Sequence, residues 1–332
     1  MNINRRSMML AGVAAIAMGT DAGAQTAPPV SSHGLPSGLP EPTVTIDLWP
    51  GGAPGAPLTP LLETVNERST DPQITDRAVF GISQPRMVVY RPDRPNGAAV
   101  LIMPGGGYRW VVIDKEGYEI ARWLGVRGFT VFVLFYRLPG EGWADGPDVV
   151  LADAQRAIRT IRARASDFAI DPARVAAMGF SAGGHVCADL AARFATPIGE
   201  PTDAIDLLSA RPHCAAMIYP VVSMAVPVAH AGSRALLLGP DPTPAQEAAH
   251  SPDQNVPENA PPHFIVHAQD DDVVPVANAL LLRAALMARN IPVEMHLFQH
   301  GGHGFGLRRA IGKPVEIWPD LFRAWARAIG LA

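Results

Sequence analysis

Beyond residue 60 the chain alternates short apolar runs with longer stretches in which apolar positions recur every three or four residues. "FTVFVLFYRL" is a continuous apolar run of strand length, suited to a buried parallel strand. "RMVVYRP" and "AAVLIMP" are β-rich runs closed by proline, and "RVAAMGF", "CAAMIYP", "HFIVHA" and "VEMHLFQ" read as further strands. Between them, "KEGYEIARWLGVRG" places Ile120, Trp123 and Leu124 at helical spacing and ends at a glycine, where helices commonly stop. "VVLADAQRAIRTIRARASDF" sets Ala157, Ile158 and Ile161 on one face and arginines on the other. "AGGHVCADLAARF" and "VANALLLRAALMARN" read as two more helices. Strands separated by helix-length segments predict an α/β fold, with a mostly parallel central sheet and helices on both faces.

The first 60 residues do not share this pattern. In residues 1–24, Arg5 and Arg6 precede a modestly apolar stretch from Met8 to Met18, and Ala22-Gly23-Ala24 forms a small-residue cleavage site. This is the organisation of an export signal, and the paired arginines resemble the twin-arginine type; a Sec signal is the alternative. The apolar stretch is too short to span a bilayer. The expectation is a periplasmic or secreted protein that starts near Gln25 and keeps no membrane anchor after signal removal. Residues 25–60 are rich in Pro and Gly and read as a linker and N-terminal arm, with strand-like alternation only in "TVTIDLW". Residues 61–332 then form one catalytic domain.

Charge narrows the function classes. The 27 basic and 31 acidic residues leave a formal charge of −4, and no basic cluster follows the N-terminus, so nucleic acid is not an expected partner. The two cysteines, Cys187 and Cys214, sit in apolar stretches and are expected as buried thiols rather than a bridge. Neither C-x-x-C nor H-E-x-x-H spacing occurs, so no metal or other cofactor is expected.

Candidate chemistry centres on "GFSAG", where Gly179, Ser181 and Gly183 match the G-x-S-x-G nucleophile elbow. A β-rich run precedes the motif and a helical pattern follows it, as a strained strand-to-helix turn requires. A serine hydroxyl needs a base to take its proton. "QHGGHGFGL" offers His303, with His300 as its rival, in a glycine-rich loop after a strand. "HAQDDDVVP" offers Asp270, Asp271 and Asp272; one would orient the imidazole and the others could cap the next helix. "MPGGGYRW" stands after a strand where an oxyanion loop belongs. The amides of Gly106 and Gly107, with that of Ala182, are the candidate donors.

These elements together resemble the α/β-hydrolase superfamily, and more closely exported bacterial acetylxylan or carbohydrate esterases. The resemblance rests on "LWPGGAPGA", "MPGGGYRWVVIDKEGYEIARWL", "VFVLFYRLP", "LADAQRAIRTIRARA", "MGFSAGGH", "MIYPVVSM", "HAQDDDVVP" and "GGHGFGL". It covers the chain from about Trp49 onward. One departure is Pro104, which stands where related lipases open the oxyanion loop with histidine. The resemblance implies an α/β-hydrolase fold, with Ser181, Asp271 and His303 as the catalytic set and Gly106, Gly107 and Ala182 around the oxyanion. It selects Asp271 among the three carboxylates and favours His303 over His300. The implied substrate is a small-molecule or oligosaccharide acetyl ester, cleaved through an acyl-enzyme. A broad short-chain esterase, a serine peptidase and a silent binding protein are the other readings. Tyr108, Arg109, Trp110 and Trp143 are the expected substrate-binding residues, ahead of Tyr136 and Arg137.

Overall fold

The computed structural model describes residues 41–332. The expected export signal and the first part of the arm lie outside the described residues. Strands β1 (Pro42–Asp47), β2 (Thr64–Glu67), β3 (Arg77–Phe80), β4 (Arg86–Tyr90), β5 (Ala99–Met103) and β6 (Val111–Val112) lead to helix α1 (Glu119–Gly125). There follow β7 (Thr130–Phe135), α2 (Val149–Ala163), β8 (Val175–Phe180), α3 (Ala182–Arg193) and β9 (Ala215–Ile218). The last part holds α4 (Ala231–Leu238), α5 (Pro244–Ala249), β10 (His263–Ala268), α6 (Ala277–Ala288), β11 (Val293–Phe298) and α7 (Trp318–Ala328).

Eight strands form the main sheet in the order β1-β4-β7-β5-β8-β9-β10-β11. From β7 to β11 all pairs are parallel, whereas β1 and β4 run antiparallel at one edge. The expected α/β-hydrolase class holds. Every residue of β5, β7, β8 and β10 is buried, because helices cover both faces and no strand position can afford a polar side chain turned outward. Helix α3 packs on β8 and β9, α1 on β7, and α6 and α7 on β10. Phe264 of β10 meets Phe322 and Trp325 of α7 with ring centroids 5.6 and 5.4 Å apart. The expected strands and helices are all present. The small antiparallel sheet β2-β3-β6 is additional, and its strands are too short to carry a periodic signal.

The arm is part of the core rather than a tether. β1 pairs with β4, and Leu48 is fully buried. Trp49 Nε1 donates to Asp153 Oδ1 at 2.8 Å, and the carbonyl of Pro54 accepts from Arg137 at 2.7 Å. Arg137 is not a surface cation; it and Asp153 are both fully buried, 2.7 Å apart. Asp153 also accepts the amide of Arg137 at 2.9 Å. These bonds converge on one carboxylate and a guanidinium, and join the arm, the end of β7 and α2.

Parallel pairing places the C-terminal ends of β5, β8, β10 and β11 along one edge, where α/β sheets gather their ligand-binding loops. Register sets the closest neighbours: Met103, at the end of β5, pairs with Gly179 of β8. Removing one partner of a buried ion pair leaves the other charged and unpaired, at a cost of about 3–5 kcal/mol. Asp153→Ala is therefore expected to lower the urea-unfolding free energy by about that much. A loss below about 1 kcal/mol would show that the pair behaves as a solvent-exposed one.

Candidate active site

Ser181 is the single residue between β8 and α3. Its backbone takes φ 53° and ψ −121°, a conformation that costs a non-glycine residue about 1–3 kcal/mol. Close packing holds it there. A Cβ on Gly179 would lie 2.0 Å from the carbonyl oxygen of Gly183, and one on Gly183 would lie 2.1 Å from that of Met103. Neither position admits a side chain, which is the physical content of the G-x-S-x-G spacing. Backbone bonds complete the clamp: the Ser181 amide donates to Ile218, and its carbonyl accepts from His185 and Val221.

His303 Nε2 lies 2.9 Å from Ser181 Oγ, and His303 Nδ1 lies 2.8 Å from Asp271 Oδ2. Asp271 is buried and its other oxygen accepts the amides of Val273 and Val274 at 3.0 and 2.8 Å. His267 adds a bond from Nε2 at 3.2 Å. Burial alone would raise the Asp271 pKa. The bonds from His267, His303 and the Val274 amide, with the charge of His303, outweigh it and hold the carboxyl well below its usual range. With Asp271 ionised, Nδ1 of His303 is the donor and Nε2 is left to accept the serine proton. The neighbouring carboxylates do other things. Asp270 caps no helix; it accepts the amides of Gly301 and Gly302 at 2.9 and 2.8 Å and so shapes the histidine loop, with exposed His300 3.3 Å away. Asp272 is exposed.

The candidate oxyanion loop lies against the elbow: a Cβ on Gly105 would approach Ser181 Cβ to 2.8 Å. Its other polar groups are already engaged. Gly105 donates to Glu116 at 2.8 Å, Pro104 accepts from Tyr136 Oη at 2.7 Å, and the Gly105 carbonyl accepts from Val112 at 3.0 Å. Among the described residues, the amides of Gly106, Gly107 and Ala182 meet no protein acceptor. Three free N–H groups beside a serine, one of them at a helix N-terminus, suit a developing negative oxygen.

Two of the expected substrate-binding residues are placed elsewhere. Tyr108 is buried and its hydroxyl lies 2.6 Å from His185 Nδ1, so it has no face to offer a sugar. Trp143 is also buried, with the Arg137 guanidinium 5.0 Å from its ring. Their glycine-rich neighbours give no sign in the sequence that either side chain turns inward. Tyr136 is spent on Pro104. Trp110 is half-buried against Gly106, with Arg68 and exposed Arg109 5.9 and 5.8 Å from its ring centroid.

Residues 87–286 match the family described as BD-FAE. The chain belongs to the BD-FAE family. It is 37% identical over 205 residues to an endo-1,4-beta-xylanase B of Butyrivibrio fibrisolvens, a match covering 62% of this chain and 32% of that protein. An acetylxylan esterase of Xylanibacter ruminicola is 31% identical over 248 residues, 74% of this chain and 48% of that protein. The chain thus spans half or less of these curated relatives. A crystal structure of an acetyl ester-xyloside bifunctional hydrolase from Caldicellulosiruptor lactoaceticus superposes with a TM-score of 0.71 at 33% identity, covering 89% of this chain and 99% of that one.

Several groups around this BD-FAE site were not visible in the sequence. Glu116 is buried, binds Gly105 through one oxygen and takes the Tyr219 hydroxyl at 3.1 Å on the other, with Lys115 Nζ 3.5 Å away. Tyr219 in turn accepts the Gly306 amide at 3.2 Å and sets its ring 5.1 Å from that of His303. Burial, first, and the charge of Glu116 keep this phenol protonated. One buried network therefore ties the oxyanion loop to the histidine loop. In a linear reading, "DKEGY" is a solvated helix start, and nothing in it marks Glu116 as buried.

His185 lies beneath the loop. Tyr108 donates to its Nδ1, while Nε2–H donates to the His250 carbonyl at 2.7 Å. Burial lowers its pKa to about 4, so the folded state holds a neutral ring. Its contribution to stability is complete above the unfolded value near 6.5 and is lost as pH falls toward 4, because unfolding then takes up a proton. The urea midpoint should fall between pH 7 and pH 5, and His185→Gln should flatten that slope by about one proton. An unchanged slope would mean that His185 is already charged in the folded protein.

Proposed function

We propose that this chain is a carboxylic ester hydrolase that removes acetyl groups from xylan-type carbohydrates through an acyl-enzyme on Ser181. The observation that carries the reading is the bonded series Ser181–His303–Asp271 beside three unpaired amides. The xylan-type substrate is supported by the names of the Xylanibacter and Caldicellulosiruptor proteins. Export, for which the segment outside the described residues argues, would bring the enzyme to such material.

In the proposed reaction, Ser181 Oγ attacks the acetyl carbonyl carbon while its proton passes to His303 Nε2. Asp271 holds the ring in the required tautomer and stabilises the imidazolium. The amides of Gly106, Gly107 and Ala182 take the oxyanion. When the tetrahedral species collapses, the C–O bond to the sugar breaks and His303 gives its proton to the departing oxygen. Water then attacks the acetyl-serine, losing a proton to His303. A second collapse returns that proton to Ser181 Oγ and releases acetate. Trp110 and Arg109, beside the oxyanion loop, are the remaining aromatic and cationic groups suited to a sugar.

The test compares acetate release from acetylated xylo-oligosaccharide with turnover of p-nitrophenyl acetate and of a peptide amide. The oligosaccharide and the aryl ester are expected to be cleaved and the amide to be spared. Ser181→Ala should reduce ester turnover by about 10⁴-fold or more. A variant that keeps most of its activity would remove Ser181 from the reaction. Turnover of the aryl ester alone would reduce the reading to a broad short-chain esterase.

A further inference from the structure

The segment between β9 and β10 brings one more histidine to the site. His230 is the N-cap of α4: its Nδ1 accepts the Ser233 amide at 3.2 Å and lies 2.8 Å from Ser233 Oγ. A ring nitrogen that accepts an amide N–H carries no proton, so the neutral ring keeps its proton on Nε2. The ring lies beside the candidate oxyanion loop. A Cβ on Gly107 would lie 3.8 Å from His230 Cε1, the carbon between the two ring nitrogens. Burial, first, and then the charge of His303 lower the His230 pKa, against a smaller opposing pull from Asp271. The ring therefore stays neutral when His303 takes up a proton. Among the described residues Nε2 has no hydrogen-bond partner, and the residue is half-exposed.

We propose that His230 Nε2–H binds the alcohol half of the substrate, donating to a free sugar hydroxyl next to the acetylated position. This rests on the acetyl-sugar reading above. The chemistry of the ester leaves little else for such a donor. The acetyl methyl is apolar, and the carbonyl oxygen already has the amides of Gly106, Gly107 and Ala182. The polar atoms that remain belong to the alcohol, which leaves with the proton of His303. His230 lies beside Gly107 of the candidate oxyanion loop, and its ring feels the charge of His303. A hydroxyl neighbouring the ester oxygen offers the lone pairs that a donor-only nitrogen needs. An aryl acetate offers none at that place.

Two substitutions separate the donor from the cap. Asn is among the preferred N-cap residues and can take the Ser233 amide, but its short side chain withdraws the distal donor. Gln carries an N–H about as far out as Nε2 and makes a poorer cap. H230N is expected to keep its melting temperature and to lower kcat/KM for monoacetylated xylobiose about tenfold more than that for p-nitrophenyl acetate. H230Q should recover part of the lost ratio although its melting temperature falls. An H230N protein whose two activities fall together, or whose ratio equals that of the wild type, overturns the proposal. A wild-type chain that leaves the acetylated xylobiose intact but cleaves the aryl ester fails the substrate reading, and this proposal with it. Wild-type cleavage with an unchanged H230N ratio fails this proposal alone.

Discussion

The site rests on a close approach of backbones. Gly179 and Gly183 let the end of β8, the start of α3 and the end of β5 approach within distances at which no Cβ fits. That approach sets three things together. It forces Ser181 into its strained turn, it puts the first amide of α3 at the hydroxyl, and it brings the oxyanion loop against the same residue. The strain of about 1–3 kcal/mol is tolerated because the strands beneath are buried on both faces and hydrogen-bonded at every step. Chemistry at the edge of the sheet therefore depends on packing in its middle.

Electrostatics does the remaining alignment. Asp271 is kept ionised by four hydrogen bonds despite its burial, and this fixes which nitrogen of His303 carries the proton. Glu116 binds one loop through Gly105 and reaches the other through Tyr219 and Gly306, so the loop with the free amides and the loop of His303 share one buried anchor. Asp270 folds the glycine-rich turn that presents His303. The neutral His185 closes the layer below by accepting from Tyr108 and donating to His250. Each of these groups is satisfied, as buried polar groups must be if they are not to destabilise the fold.

What could be seen in the linear chain divides along physical lines. The parallel strands were legible because a strand buried on both faces is apolar along nearly its whole length, as β5 and β8 are. Ser181 and its glycines were legible because close backbone approach constrains residue type at fixed spacing. Choosing Asp271 from three adjacent carboxylates needed the resemblance, since only tertiary contacts distinguish them. Tyr108 and Trp143 were misread for the converse reason: their neighbours suggest loops, yet their side chains turn inward to His185 and Arg137. Glu116 and Tyr219 were not singled out, because a polar residue satisfied by a partner some 100 positions away has no periodicity. In the arm, the alternation of "TVTIDLW" marks β1, but its Pro- and Gly-rich composition hides that Leu48 belongs to the core.

Covalent labelling tests the central claim most directly. A fluorophosphonate reacts with a serine hydroxyl only where a base and oxyanion donors activate it. Peptide mapping after treatment of the folded protein should find one stoichiometric phosphonyl adduct, on Ser181, and His303→Ala should abolish it. An adduct on another residue, or full ester turnover by a protein whose Ser181 stays unlabelled, would contradict the account.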